Sequence, residues 1–312
     1  MTPMLFCVGI DENGLGPQLG PLIVTAVAAR VTNDAYLRMR REPQSILHDR
    51  IADSKKLVGH GRIALAEAWA RSISGNPPTP QAIIQQLSID PVEHLQSSCP
   101  PSAIQQCWAT ELHRFCTTDQ HVHQAHEDIR HLKELGIDIV WTRCSITCVQ
   151  SLNHSRRNGV SRFDVDLHAM ETLIHSAREF ADQEIIASCG KVGGLMRYEN
   201  KFTILSKYPT TVEREHASES IYRLAGIGQI RFLRDAEDQD PLVALASLVG
   251  KWVREALMDR MVAFYQHHDP ALPNASGYHD PITNQFVLNS KALRQQLGVP
   301  DDCFLREGRN PR

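Results

Sequence analysis

Long apolar runs are missing from this chain. The most continuous, Leu22 to Ala29, is far too short to span a bilayer. The first residues lack the charged stretch followed by an apolar one that marks a secretory leader. The expectations are therefore no membrane association and a cytoplasmic location. Eight cysteines are scattered at 7, 99, 107, 116, 144, 148, 189 and 303, without a CxxC pair or a zinc-ribbon spacing, which reads as reduced thiols. There is little excess charge of either sign. A formal net charge of −3 excludes a globally basic surface, so any nucleic-acid affinity has to come from local patches. Internal repeats and low-complexity tracts are also lacking.

What remains is a chain of 312 residues, 42% of them hydrophobic, enough to bury a full core. Residues 4 to 11 form a short apolar run. Gly14, Gly16, Pro17, Gly20 and Pro21 punctuate the segment before a second run, Leu22 to Val31, so two strands joined by a tight loop are expected. His60 to Ser74 carries Ala and Leu at helical spacing, and Ile139 to Thr147 reads as a further strand. Phe163, Leu167, Met170, Leu173, Ile174, Ala177 and Phe180 follow the period of an amphipathic helix, with Asp164 and Asp166 in its first turn. Glu184 to Cys189 and Gln229 to Leu233 read as strands, and Pro241 opens a long helix to about Tyr265. Strands first, then strand and helix alternating, give an α/β layered core. The stretch from about 76 to 135 has no clear place in that core and is expected to be a helical insertion.

Asp11-Glu12 ends the first apolar run. Two acids there are expensive to bury without a cation or hydrogen bonds. Magnesium binds through one or two carboxylates plus water and phosphate oxygens, so strand-end acids beside a backbone-exposing glycine loop fit phosphodiester hydrolysis. The plainer reading makes them turn residues in a Gly/Pro-rich connection.

The flanking residues weigh against the plainer reading. Gly9-Ile-Asp-Glu-Asn-Gly-Leu-Gly-Pro-Gln-Leu-Gly-Pro21 resembles the opening signature of ribonuclease HII, G-(I/V)-D-E-(A/V)-G-R-G-P-x-x-G-P. Asp53-Ser54-Lys55-Lys56-Leu57 is identical to that family's D-S-K-K-L. Asp235 to Arg254 resembles its (A/G)-D-x-x-x-P-x-x-(S/A)-A-A-S-I-x-A-K-V-x-R-D segment, with Pro241, Ser247, Lys251 and Arg254 coinciding. Gly277-Tyr278 is a weaker match to a glycine-tyrosine pair whose ring packs near the sugar of an RNA–DNA junction; an ordinary loop explains it as well.

The resemblance implies a ribonuclease H-like mixed β-sheet flanked by helices, in one domain over residues 1–312, with the insertion at about 76–135 and a helical, substrate-binding C-terminal part at about 241–312. It implies Mg²⁺ or Mn²⁺ held by Asp11, Glu12 and Glu237, with Asp235 beside them. Asp11, Glu12 and Glu237 are the implied catalytic residues. The implied substrate contacts are Gly14, Leu15, Gly16, Ser54, Lys55, Lys56 and Tyr278, and the implied activity is hydrolysis of the RNA strand of RNA–DNA hybrids or of ribonucleotides embedded in duplex DNA. Nothing in the sequence names a protein partner.

Two departures stand out. The family's third aspartate falls where this chain has Ser188-Cys189-Gly190-Lys191, and the arginine between the two loop glycines is Leu15. A thiolate is a soft ligand, poorly suited to magnesium. A catalytically weakened relative that binds hybrid or duplex without cutting is therefore a rival reading, ahead of an unrelated metal-dependent phosphatase. The nearest other acids, Asp164, Asp166, Asp182, Glu184 and Glu199, mostly read as helix-start or solvent-facing residues. His121, His123 and His126 read as a solvated helix face rather than a zinc cluster, and Arg156, Arg157, Arg162, Arg306, Arg309 and Arg312 as local basic spots.

Overall fold

The computed structural model describes residues 4–46, 49–100, 103–111 and 114–308; Arg309 and Arg312 lie outside them. In chain order the elements are β1 (Met4–Asn13), β2 (Leu22–Thr32), α1 (Asn33–Arg41), α2 (Ser54–Leu57), α3 (Ala64–Ile73), α4 (Pro80–Leu87), α5 (Val92–Ser97), α6 (Asp119–Glu134), β3 (Ile137–Thr147), α7 (Val149–Arg157), α8 (Arg162–Ala181), β4 (Ile185–Gly190), β5 (Thr210–Glu215), β6 (Glu219–Leu224), β7 (Gly228–Leu233), α9 (Pro241–His268), α10 (Pro281–Asn289), α11 (Lys291–Gln296) and α12 (Asp301–Phe304). The strands form one mixed sheet in the order β3-β2-β1-β4-β7-β6-β5. β1, β4 and β7 run parallel, while β2 is antiparallel to both its neighbours.

β1 and β2 are apolar almost without alternation because both faces of the sheet are covered. On one face, Cys7, Ile23, Val27 and Val31 meet α3 and α9 through Trp69, Leu245, Val249 and Trp252. On the other, Phe6, Val8, Ile10 and Val24 meet α8 through Leu167, Met170, Leu173 and Ile174. α8 starts at a capping box between Ser161 and Asp164. α9 starts at Asp240, whose carboxylate accepts from Leu242 N at 3.0 Å, with Pro241 in the first turn.

The helix periods place α8 and α9 to within a few residues of their ends. The stretch expected as a helical insertion at about 76–135 carries α4, α5 and α6, and its Ile83, Ile84, Leu87, Val122, Ala125 and Leu132 are buried in the same cluster as Trp69 and Trp252. Likewise α9 is a central helix of the core, and only its C-terminal half joins the smaller cluster with Leu19, Phe286 and Phe304. The β5–β6 hairpin was not expected at all.

Close approach fixes how α9 sits on β1. A Cβ on Gly9 would lie 2.2 Å from the backbone carbon of Leu242 and 2.3 Å from Val243 N. Only glycine lets the first turn of α9 rest on the strand two residues before Asp11.

Candidate active site

β1 and β4 are neighbouring central strands, Ile10 pairing with Cys189, so Asp11 and Gly190 occupy adjoining positions toward their C-terminal ends. A cleft opens there. It is lined by Asp11, Glu12, Asn13 and the loop Gly14-Leu15-Gly16, by Ser54 and Lys55 of α2, by Ser247 and Lys251 of α9, and by Tyr278. The loop is held from behind. Arg306 is buried and donates to Gly14 O at 2.5 Å and to Gly20 O at 2.6 and 2.9 Å. Gly14 adopts φ +89°, and a Cβ there would meet Pro21 O and the Arg254 side chain at 2.8 Å.

The acids of this cleft repel one another. Asp11 is only 4% exposed. Burial, then the Glu12 and Glu237 charges, raise its carboxyl well above the ordinary range, against the Ser247 hydroxyl, which hydrogen bonds to it, and Lys55. Glu12 is pushed up to about 8, first by burial and next by Asp166, with Glu237 adding to the effect and Lys55 opposing it. Asp166 is raised well above its ordinary value by burial and by Asp11. Carboxylates kept from water beside like charges are poised to accept a cation.

The structure brings most of the sequence-selected residues together. Glu237 sits in the turn Ala236–Asp238, with its side chain 14% exposed and 3.7 Å from Lys55 Nζ. Ser54 Oγ lies 2.9 Å from Ser247 Oγ, and Asp53 caps α2 by accepting from Lys55 N at 2.9 Å. The Tyr278 ring is 39% exposed, with the Arg254 guanidinium 4.6 Å and Lys251 Nζ 5.5 Å from its centroid. Gly16 is exposed and has open space above it.

Other selected residues do not gather there. Asp235 is in the left-handed region, its side chain 75% exposed and 3.6 Å from Arg234, so its carboxylate faces solvent rather than the cleft. Lys56 pairs with Asp238 at 2.6 and 2.8 Å. His121, His123 and His126 are exposed on α6. Arg306 is no surface spot, since it carries the loop contacts above. Lys191 is likewise engaged, donating to Leu195 O and His216 O.

Asp166, expected in a first helical turn, instead lies in the interior, where Asp11 acts on its charge and its own charge acts on Glu12. It is 0% exposed, and neither carboxylate oxygen has a hydrogen-bond partner. The signal was available: residues 166, 170, 173 and 177 share one stripe of the α8 pattern, so an aspartate at 166 points where the core lies.

The donor set fits a hard divalent cation, being carboxylate oxygens, one pair of them buried and unpartnered. Among the described residues no group of three His, Cys, Asp or Glu side chains is drawn together closely enough to enclose an ion. Magnesium commonly completes its shell with water and substrate phosphate, using only one or two protein carboxylates.

No protein-family model and no curated protein sequence matches the chain. Among solved structures it aligns with the ribonuclease HII of a PCNA:RNase HII complex from Archaeoglobus fulgidus at 15% identity and a TM-score of 0.46, over 99% of this chain and 96% of that one. It aligns with Bst-RNase HIII in complex with Mn²⁺ at 12% identity and 0.46, over 98% and 67%. It aligns with ribonuclease H2 from Pyrococcus horikoshii OT3 at 14% identity and 0.42, over 96% and 92%.

Proposed function

We propose that the protein is a divalent-metal-dependent endoribonuclease that hydrolyses the RNA strand of RNA–DNA hybrids, or the backbone at ribonucleotides embedded in duplex DNA. The observation that carries this reading is the composition of one cleft. Asp11, Glu12 and nearby Glu237, which repel one another, adjoin the Gly14-Leu15-Gly16 backbone, Lys55, Lys251 and Tyr278. Acids for a metal, cations for a phosphodiester and an aromatic face for a sugar or base are what that reaction needs.

Bound Mg²⁺ or Mn²⁺ would supply the positive charge that lets a phosphodiester be attacked and its leaving oxygen depart. Asp11 and Glu237 are the residues to hold it, with Glu12 holding it or orienting the attacking water. Lys55, on the rim, meets a backbone phosphate as a point charge. The loop backbone, fixed by Arg306, presents rigid N–H groups toward a ribose 2′-OH, the group that separates RNA from DNA. A second groove continues from Leu15 and Gly16 past Arg156, Arg162 and His279, giving the strand a basic path despite the overall negative charge.

The test is a DNA duplex containing a single ribonucleotide, incubated with Mg²⁺ or Mn²⁺ beside an all-DNA duplex. Nicking at the ribonucleotide should require the metal, and Asp11→Asn should lower turnover at least about a hundredfold while leaving duplex affinity nearly intact. Tight binding with no nicking would instead support a non-cleaving hybrid or duplex binder, the reading that Gly190 at the end of β4 favours.

A further inference from the structure

We propose that Asp166, carried on α8, is a ligand of the metal held at Asp11 and Glu12, supplying from a helix the carboxylate that the end of β4 does not provide. This deepens the nuclease reading and rests on it for the identity of the ion.

Comparison with the other buried acids carries the inference. Glu171 lies on the same helix, equally buried, but its carboxylate accepts from Thr203 N at 2.8 and 3.1 Å, Thr203 Oγ1 at 2.5 Å and Leu205 N at 3.3 Å. Buried Glu67 accepts from Thr117 N at 2.6 Å and from the Trp252 indole at 3.2 Å. Buried Glu255 meets His60, Lys251 and Arg254 at 2.9, 3.1 and 2.7 Å, and Asp240 caps α9. Each of these is paid for by local donors. Asp166 has none for either oxygen, which is unfavourable for a buried polar group if nothing ever binds there.

Its surroundings say what binds. The charge that Asp166 feels is Asp11, and Asp166 is the foremost charged neighbour acting on Glu12. The position beside them on β4 is Gly190, where a Cβ would stand 3.2 Å from Asp11 Oδ1 and 3.5 Å from Glu12 Oε2. Gly190 itself brings no carboxylate to that position. A buried carboxylate whose oxygens have no hydrogen-bond partner, close enough to Asp11 and Glu12 to interact with their charges, suits a hard cation.

Mn²⁺ binding to the full-length protein, measured by electron paramagnetic resonance of the free ion and by the Mn²⁺-induced rise in melting temperature, tests this without reference to cleavage. Asp166→Asn should weaken Mn²⁺ binding at least about tenfold and abolish most of the melting shift, while Asp164→Asn, on the exposed side of the same helix, should change neither. Adding Gly190→Asp to Asp166→Asn should restore part of the binding, because it brings a carboxylate beside Asp11 and Glu12 from the strand. Circular dichroism and the metal-free melting temperature report folding, which Asp166→Asn should preserve or improve. Unchanged Mn²⁺ affinity in a folded Asp166→Asn protein overturns the inference while leaving the nuclease reading in place. Wild-type protein that binds no Mn²⁺ overturns both. Wild-type protein that binds Mn²⁺ through Asp166 but never nicks overturns only the nuclease reading.

Discussion

Stripped of divalent ions, the protein should become less stable as the pH rises through neutrality. Burial first, and the Asp166 charge second, hold Glu12 up to about 8 against an ordinary value of 4.5. A carboxyl raised in the fold binds its proton more tightly there than in the unfolded chain. Its contribution is fully present below about pH 4.5 and is lost as the pH climbs through about 8. The complete loss is on the order of 5 kcal/mol as an upper bound, a large fraction of ordinary stability. Asp11 and Asp166 act in the same direction. Glu255, held down at about 2 against burial by His60, Arg254 and Lys251, titrates too low to intrude. Asp259, raised to about 6 by burial and Glu255, and His60, raised by its bond to Glu255, add slope of the same sign. The informative quantity is therefore the difference between wild type and Glu12→Gln. Urea unfolding followed by tryptophan fluorescence, in chelator at about pH 5 to 9, should show a steep fall for wild type and a shallower one for Glu12→Gln. Mn²⁺ at a hundred times its dissociation constant should return about 3 kcal/mol to wild type at pH 8. Parallel curves for the two proteins in chelator would refute the reasoning, because Glu12 would then titrate alike in the folded and the unfolded chain.

Two further outcomes follow from the geometry. Glu237→Gln should reduce ribonucleotide nicking by about a hundredfold or more, whereas Asp235→Asn, altering a solvent-facing carboxylate, should leave initial rates within about twofold. Arg306→Met should cost at least about 3 kcal/mol in urea unfolding, since it strands the Gly14 and Gly20 carbonyls in the interior, and it should raise the KM for a ribonucleotide-containing duplex more than it lowers kcat.

Much of the architecture is legible in the sequence because burial on both faces writes itself as unbroken apolar strands and helical stripes. β1, β2, α8 and α9 are of this kind. β5 escapes notice because Thr210–Glu215 is a polar ribbon at the sheet's edge, largely exposed, and its partner strand β6 is short. The region 76–135 looks detached because its apolar residues are sparse, yet Ile83, Ile84, Leu87, Val122, Ala125 and Leu132 among them are buried in the core. At the site, Asp11 and Glu12 are visible as acids closing an apolar run, while Glu237 is reached only through the resemblance of Asp235 to Arg254 to the family's segment, which keeps Asp235 beside it. The two lysines of α2 are indistinguishable in sequence, and only the fold shows that Asp238, far along the chain, takes Lys56 while Lys55 faces Glu237. Asp166 is hidden by habit: an acid near a helix start invites a capping explanation, which Asp164 alone fulfils.

The contact of Gly9 with the first turn of α9 has a mechanical consequence. With backbone resting on backbone, the strand that carries Asp11 and the helix that carries Ser247 and Lys251 have no side chain between them to act as a cushion, so they move as one body. Whatever adjustment an arriving ion demands is left to the parts mounted elsewhere: the turn bearing Glu237 and the exposed ammonium of Lys55. The cleft thus has one fixed jaw and one adjustable one, and the contact between Glu237 and Lys55 lies wholly within the adjustable one.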